Sequence, residues 1–314
     1  MKTRITALLG IEHPIFQAAM SWASSNAALV AAVSNAGGMG VLGAGPLRPE
    51  DFRRVLKEIR DKTEKPFGVN IPLNSSKAEE LLRIAHEARI PVMVASQGGP
   101  KAHLERFRAV GTKWLHVVAS VEHALKAEAA GVDALVVDGA EAGGHPPPSE
   151  VGTLVLVRRV VKAVKLPVVA SGGIADGAGI AAMLALGADA VQLGTRFIAT
   201  PEAGVHENYK RAVLEADVHQ TALVGRGGLP IRQLANRFSE EYLSRERKGA
   251  SGSELLDIFN SSSLKRAALE GDVDWGKVEA GQSAGLVDDI VPAGELLLRL
   301  VREAEEARKR LAAL

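Results

Sequence analysis

Eight short apolar runs rich in β-branched residues recur along the first two thirds of the chain, and a stretch with helical periodicity separates each from the next. This alternation predicts parallel strands joined by helices. Eight strands fit a closed (β/α)8 TIM barrel better than an open doubly wound sheet, which usually carries a GxGxxG fingerprint after its first strand. The chain has no such fingerprint there. The predicted strands are 14–20, 39–45, 67–73, 92–98, 114–120, 133–139, 167–173 and 190–197.

The chain has 314 residues, more than the roughly 250 of a typical α/β barrel, so one barrel with a small appendage is expected. Residues 1–205 are assigned to the barrel. After about residue 205 the pattern changes to helical segments without strands, and we predict that 206–280 forms a small helical lid over the barrel mouth. The last segment, 281–314, ends in an amphipathic helix that packs back on the barrel.

Charge and cysteine content exclude several classes of function. A net charge of +1 gives no electrostatic reason to expect a nucleic-acid or acidic-membrane partner. The basic N-terminus lacks the apolar run of a signal peptide, and no stretch reaches the ~20 apolar residues of a membrane helix, so a cytoplasmic protein is expected. Without cysteine there is no disulfide, thiolate nucleophile, iron–sulfur cluster or Cys-based zinc site.

Two consecutive predicted strands end in small residues: the seventh in Gly172-Gly173 and the eighth in Gly194-Thr195. Glycines let backbone N–H groups approach an anion closely, and a following helix N-terminus adds partial positive charge. The loops after strands seven and eight are where barrels commonly bind phosphate. The alternative is that each glycine only makes a tight turn. The two ends together favour a phosphate site.

A phosphate site alone admits isomerases, aldolases, nucleotide dehydrogenases and flavoenzymes. The barrel dehydrogenase that acts on inosine monophosphate uses a cysteine nucleophile, which this chain lacks. A Schiff-base aldolase needs a lysine near a strand end, and no predicted strand contains one. A bound cofactor is therefore expected to carry the reaction. A phosphosugar isomerase and a flavin-storing barrel without turnover remain as rivals.

The segment DGAEAGGHPPP, residues 138–148, places His145 on a glycine-rich loop after strand six. Imidazole exchanges protons near neutral pH, so His145 is the candidate general acid or base. The alternative is a loop histidine bonded to the backbone. Glu141 either binds the cofactor or is a solvated or helix-capping acid. His116, within strand five, is interpreted as a satisfied, buried barrel residue.

The motifs closely resemble the family of nitronate monooxygenases (2-nitropropane dioxygenases) and FMN-dependent enoyl-acyl-carrier-protein reductases II. The resemblance runs nearly end to end through PIFQAAM, AAVSNAGGMGVLGAG, KPFGVNI, DGAEAGGH, VVASGGIADG, GADAVQLGTRF and GDVDWGKVEAGQSAGLV. It implies a non-covalent FMN, a catalytic histidine at His145, and Asn70 and Gln282 near the flavin. Asn and Gln amides suit a flavin edge because each both donates and accepts. The expected FMN-binding residues are Ala18, Ala19, Met20, Asn70, Gln97, Glu141, Ser171, Gly172, Gly173, Gln192, Gly194, Thr195 and Gln282.

The branch of the family stays open between three activities. Oxidation of nitronates or nitroalkanes with O2 is the main hypothesis; the alternatives are NAD(P)H-dependent reduction of enoyl thioesters, with acyl carrier protein as partner, and NAD(P)H:quinone reduction. The tail GDVDWGKVEAGQSAGLV and Val117 resemble the enoyl reductases, since many nitronate-oxidising and quinone-reducing relatives have lysine at the position of Val117. The loop PPPSEVG after His145 departs from the reductase pattern. A homodimer is a further expectation.

Overall fold

The computed structural model describes residues 1–226 and 228–314. Eight parallel strands close into a barrel in sequence order, with the first strand pairing with the eighth. This confirms the predicted (β/α)8 fold, and every predicted run contains a strand. The fifth strand begins at Lys113, at the end of the barrel away from the mouth. The strands are β1 Ile15–Gln17, β2 Met39–Gly43, β3 Gly68–Pro72, β4 Val92–Ser96, β5 Lys113–Val118, β6 Ala134–Asp138, β7 Val168–Ser171 and β8 Ala190–Leu193.

Helices cover the outside of the barrel. A short helix, α1 Arg4–Leu9, precedes β1. Seven helices then connect consecutive strands, as a right-handed βαβ succession requires. They are α2 Ala27–Asn35, α3 Pro49–Lys62, α4 Ala78–Glu87, α5 Lys101–Ala109, α6 Val121–Ala130, α7 Thr153–Val161 and α8 Gly177–Ala185.

Alternation along the strands produces two hydrophobic cores. Val94, Val136 and Val169 belong to the core inside the barrel, whereas Met93 and Val137 belong to the core between strands and helices. Because side chains alternate with a period of two, the position two residues after each inner valine also faces inward. At the C-terminal strand ends these positions are polar, so the barrel interior changes from a packed apolar core to a polar mouth.

The prediction that 206–280 contains no strands is wrong. Two strands, β9 Thr221–Val224 and β10 Ile231–Leu234, form an antiparallel hairpin within the lid. Their β-branched residues pack on Phe238 and Tyr242, and this burial stabilises strands where the periodicity alone suggested helix. The helices after β8 are α9 Thr195–Ile198, α10 Glu207–Glu215, α11 Arg237–Arg247, α12 Gly252–Asn260 and α13 Leu264–Glu270.

The C-terminal segment packs on the outside of the barrel. A 3₁₀ helix, Gln282–Leu286, is followed by α14 Ala293–Ala312, which packs against α8 and α2. Asp289, just before α14, accepts hydrogen bonds from the buried Arg196 and from Arg299. This ion-pair cluster ties the segment to the turn that follows β8. Within the described residues no helix has both the length and the apolar character needed to cross a membrane.

Candidate active site

A cavity of about 910 Å³ opens at the C-terminal ends of the barrel strands, beneath the lid. Its size lies near the upper end of the range for small-molecule and cofactor sites, about 300–1,000 Å³. The barrel contributes the floor through strand ends and βα loops, and the lid contributes Tyr209, Pro230 and Glu279. This is the face on which barrel enzymes carry their chemistry.

Inward-facing polar side chains form the cavity floor. The Asn70 amide donates to the Val94 carbonyl at 2.7 Å and to Ser96 Oγ at 3.2 Å. On the opposite side, Gln192 Nε2 donates to Ser171 Oγ at 3.2 Å. The floor thus offers amide and hydroxyl groups that both donate and accept, which suits a heterocyclic ring with alternating donors and acceptors.

Asp138 is a floor residue that the sequence analysis missed. It ends β6 and lines the cavity beside Ser171. Burial raises the pKa of Asp138 to about 6, although a hydrogen bond from Ser171 opposes the shift. Its sequence signal was the period-two relation to Val136, which marks position 138 as inward-facing.

The turns after β7 and β8 form a cradle of backbone N–H groups. Gly172 and Gly173 have φ angles of +106° and +71°, which L side chains rarely adopt. Among the described residues, no acceptor pairs with the N–H groups of Gly172, Gly173 or Gly194. A Cβ at Gly194 would lie in van der Waals contact with Ala18 and Met20, 3.6 Å from each. These donors fit the phosphate of FMN, because an anion satisfies N–H groups that otherwise lack a partner.

The His145 imidazole stands over the mouth on the loop after β6. Its Nδ1 lies 3.0 Å from the Pro230 carbonyl oxygen. A carbonyl only accepts, so Nδ1 carries the proton and Nε2 is left with its lone pair. The side chain is exposed to the open cavity, yet desolvation by the surrounding protein is the largest influence on its pKa and lowers it; nearby Lys277 lowers it further, while Pro230 opposes the shift. The imidazole is therefore neutral at pH 7.

The lid hairpin holds the loop that carries His145. The Arg232 N–H donates to the Gly144 carbonyl at 2.7 Å, and the Gly144 N–H donates to the Arg232 carbonyl at 3.0 Å. The buried Arg232 guanidinium donates from Nε to the Ala140 carbonyl at 2.9 Å and from Nη1 to Thr221 Oγ1 at 3.2 Å. Arg232 is not among the site residues predicted from the sequence. The signal for its strand was a pair of β-branched runs around a glycine-rich turn, TALVGRGGLPIRQL.

Glu141 lies at the cavity wall, but its carboxylate is engaged elsewhere. It accepts hydrogen bonds from the Thr153 backbone N–H at 2.8 Å and from Thr153 Oγ1 at 2.7 Å. Since Thr153 is the first residue of α7, Glu141 caps that helix and satisfies a terminal N–H group. The helix-capping alternative from the sequence is thus observed, and cofactor binding by Glu141 stays a prediction.

Gln282 is the predicted site residue that the structure does not bring to the cavity. Its side chain is exposed to solvent, and its backbone N–H donates to the Glu141 carbonyl at 2.9 Å. The flanking residues Gly281 and Ser283 line the cavity instead, because one step along a 3₁₀ helix turns a side chain by about a third of a turn. The other predicted site residues line the cavity: Ala18, Ala19, Met20, Asn70, Gln97, Glu141, His145, Ser171, Gly172, Gly173, Gln192, Gly194 and Thr195.

Glu279, also absent from the sequence predictions, lines the lid side of the cavity, with Lys277 nearby. Burial raises the pKa of Glu279 to about 7, with nearby Lys277 opposing the shift. Burial lowers the pKa of Lys277 to about 8, and its Nζ lies 3.4 Å from the centroid of the Phe259 ring. The Tyr209 hydroxyl donates to the Glu279 carbonyl at 2.8 Å. These contacts fix the lid segment that faces His145.

Comparisons with known proteins cover the whole chain. The family model for nitronate monooxygenase matches residues 2–303. The nitronate monooxygenase of Paraburkholderia phytofirmans is 34% identical over 99% of this chain and 97% of its own. Among solved structures, FabK from Thermotoga maritima is 42% identical with a TM-score of 0.94, covering 100% of this chain and 99% of that one. The nitroalkane oxidase of Streptomyces ansochromogenes is 32% identical with a TM-score of 0.83, covering 98% and 99%.

Proposed function

The chain belongs to the nitronate monooxygenase family and is an oxidoreductase, and from this premise we propose that it holds FMN in the cavity and oxidises nitronates or nitroalkanes with O2, releasing a carbonyl compound and nitrite. When bound, FMN supplies one- and two-electron transfer, chemistry that no side chain of this cysteine-free protein offers. The substrates of the protein are small molecules.

The chain's own residues have separate tasks in holding the cofactor. The N–H groups of Gly172, Gly173 and Gly194, with Thr195, would take the FMN phosphate. Asn70, Ser171 and Gln192 on the floor would orient the ring by hydrogen bonds. Met20 and Ala18 lie beside Gly194 and would contact the ring or its side chain through apolar surface.

The state of His145 is the observation that carries the proposed reaction. Its Nδ1–H is committed to Pro230, and its lowered pKa keeps the ring neutral. Nε2 is then a base that accepts the α-proton of a nitroalkane and holds the resulting nitronate over the floor. Binding of the substrate beneath the lid also excludes water from the site.

Reduction of an enoyl thioester with NAD(P)H is the second candidate. It is favoured by the 42% identity to FabK, an enoyl-acyl-carrier-protein reductase II, and by the sequence resemblance to the enoyl reductases at Val117, which lines the cavity. This reaction needs a proton donor at the α-carbon. A neutral His145 with a bare Nε2 is poorly suited to that role, so water would have to supply the proton. Acyl carrier protein, a homodimer, quinone reduction and a cytoplasmic location stay predictions.

Product analysis of the FMN-loaded protein tests the proposal. We expect nitrite and a ketone from propyl-2-nitronate in air, and bleaching of the flavin absorbance by the nitronate under anaerobic conditions. Bleaching by NADH or NADPH together with consumption of crotonyl thioester, without nitrite release, would select the second candidate. A protein that stays colourless once unbound FMN is removed after saturation would contradict both candidate functions.

A further inference from the structure

A carboxyl group without a partner lines the lid side of the central cavity. The side chain of Glu279 is partly accessible from the cavity. The Tyr209 hydroxyl bonds to the backbone carbonyl of Glu279, and among the described residues the Glu279 carboxyl group forms neither a hydrogen bond nor a salt bridge. Carboxyl groups removed from water are usually paired or hydrogen-bonded in proteins. The Glu279 carboxyl group is therefore available to a molecule that enters the cavity.

This carboxyl group lies beside the loop that carries His145. A Cβ added to Gly144 would be 3.2 Å from Glu279 Oε2, so this oxygen lies against the backbone one residue before His145. The side chains of Glu279 and His145 both line the cavity. A substrate that gives a proton to His145 Nε2 therefore binds close to the Glu279 carboxyl group.

The charged side chains that line the cavity are unevenly distributed. Asp138 and Glu141 lie at the end of β6 and in the loop that follows, and Glu279 lies in the lid. The lining lysines among the described residues, Lys101 and Lys126, belong to α5 and α6 on the outside of the barrel. The surroundings of the reactive histidine are therefore acidic.

The groups around Glu279 leave its charge uncancelled. Lys277 is the base whose charge acts on the carboxyl group, but its Nζ lies over the Phe259 ring, 3.4 Å from the centroid. Burial raises the pKa of the Tyr209 hydroxyl well above its ordinary value, and His145 is neutral at pH 7. Since the pKa of Glu279 is about 7, its carboxyl group is an isolated anion above that pH.

His116 adds no positive charge to the cavity wall. It is 7% exposed, and burial lowers its pKa to about 4, with the Gly98 backbone opposing the shift and His123 adding to it. Its Nδ1 has no hydrogen-bond partner among the described residues, so the interpretation of a satisfied barrel histidine is wrong for this nitrogen. The imidazole is neutral at pH 7 and does not attract an anion.

We propose that Glu279 is a specificity residue whose carboxylate weakens the binding of anionic nitronates beside His145 and shifts the preference of this protein toward neutral nitroalkanes. The inference rests on the proposed function and names the form of its substrate. Two negative charges repel each other strongly where protein replaces water, whereas a neutral nitroalkane meets no such repulsion. An unpaired charge placed against one of two related substrates is a common source of selectivity.

Steady-state nitrite release by the FMN-loaded protein at pH 8 tests the proposal. The quantity measured is the kcat/KM for propyl-2-nitronate divided by that for 2-nitropropane. Glu279→Gln keeps the shape of the side chain and removes its charge, and should raise this ratio by about tenfold. Loss of active protein cancels in the ratio. The matched control is Glu270→Gln, at the exposed end of α13 in the same lid, which should keep the wild-type ratio.

A binding measurement tests the same charge without turnover. Isobutyrate has the shape and charge of propyl-2-nitronate, and isobutyramide is its neutral counterpart; a shift in flavin absorbance reports the binding of either. In the wild type, isobutyrate should bind more weakly at pH 8 than at pH 6, with isobutyramide as the reference. Glu279→Gln should reduce this difference, whereas any part caused by His145 or Asp138 persists in that variant.

The outcomes separate this inference from the proposed function. An equal ratio in the wild type and Glu279→Gln, or an equal pH dependence of isobutyrate binding in the two proteins, would overturn the role of Glu279. A protein that releases nitrite from neither substrate would contradict the proposed function. If the isobutyrate measurement still depended on Glu279 in such a protein, the selection against anions would remain supported.

Discussion

Nδ1 of His145 donates its proton to the carbonyl oxygen of Pro230, 85 positions later in the chain, at a distance of 3.0 Å. His145 belongs to a barrel loop, whereas Pro230 immediately precedes β10 in the lid. The lid therefore sets the tautomer of the imidazole and directs its Nε2 as a base. A hydrogen bond from Nδ1–H to a backbone carbonyl is a common way to fix which imidazole nitrogen reacts.

Replacing His145 with alanine should lower turnover by about 10²–10⁴-fold, the usual contribution of a general acid or base. FMN should still bind, because the phosphate cradle follows β7 and β8, and Asn70, Ser171 and Gln192 of the floor lie on β3, β7 and β8. Steady-state nitrite release and the flavin spectrum measure the two effects separately. His219→Ala, an exposed lid residue, is the control. Unchanged turnover in His145→Ala would remove this residue from the mechanism.

The pH profile of kcat/KM for a neutral nitroalkane should fall on the acid side. Because the pKa of His145 lies below its ordinary value, the base is active at neutral pH and is lost as the pH falls through a value below about 6.5. Asp138, with a pKa of about 6, titrates in the same range. The profile is therefore repeated in Asp138→Asn, which should keep the acid limb. If the limb disappears in that variant, Asp138 and not His145 controls it.

The barrel could be predicted from the sequence because its signals are local. Each strand is a β-branched run of a few residues, and each inter-strand segment has helical periodicity, so eight units are visible without knowledge of distant contacts. The glycines at 172, 173 and 194 were identified for the same reason: a tight turn at a strand end has a short-range signature.

The contacts that orient the reactive groups could not be predicted in this way. Pro230 and Arg232 reach the His145 loop from a hairpin distant in sequence, and nothing in the local pattern of either segment encodes that pairing. The exposed side chain of Gln282 likewise had no local signal, because a motif indicates a neighbourhood, whereas the helical phase decides whether a given side chain faces the cavity.

Replacing Gly173 with alanine should weaken FMN binding by at least tenfold while leaving the barrel folded. Its φ of +71° strains any L side chain, and a Cβ would lie 3.2 Å from Glu141 Cβ, so the turn and its N–H groups must shift. Gly111→Ala is the matched control, since that glycine has φ +84° with no atom within 4 Å of the added Cβ. Flavin fluorescence titration measures the affinity. Equal affinity in both variants would argue against phosphate at this turn.

Replacing Arg232 with alanine should lower kcat by about tenfold or more with little change in FMN affinity. The variant loses the bonds to Ala140 and Thr221 that hold the His145 loop, and buried hydrogen bonds to a charged group contribute about 1.5–3 kcal/mol. Arg232→Lys keeps the charge and one donor and should recover part of kcat. Arg245→Ala, which removes an exposed pair with Glu241 within α11, is the control. If Arg232→Ala loses stability while kcat is retained, the residue is structural and does not position the loop.

Glu279→Gln should make the stability of the protein less dependent on pH. Burial raises the pKa of Glu279 from 4.5 to about 7. Between pH 4.5 and pH 7 the Glu279 carboxyl group is therefore protonated in the folded state and ionised in the unfolded state. Its contribution to stability is therefore present below pH 4.5 and declines as the pH rises to about 7, by an amount of order 1–3 kcal/mol. Glutamine resembles the protonated acid and lacks this decline.

The measurement is the free energy of unfolding in urea at pH 5 and pH 7.5. Both pH values lie below the pKa of Lys277, which is about 8. The wild type should lose more stability than Glu279→Gln between the two values. Glu50→Gln, at the exposed start of α3, should behave as the wild type. An equal loss in Glu279→Gln would show that the carboxyl group is already ionised in the folded protein at pH 5, with Lys277 stabilising its charge.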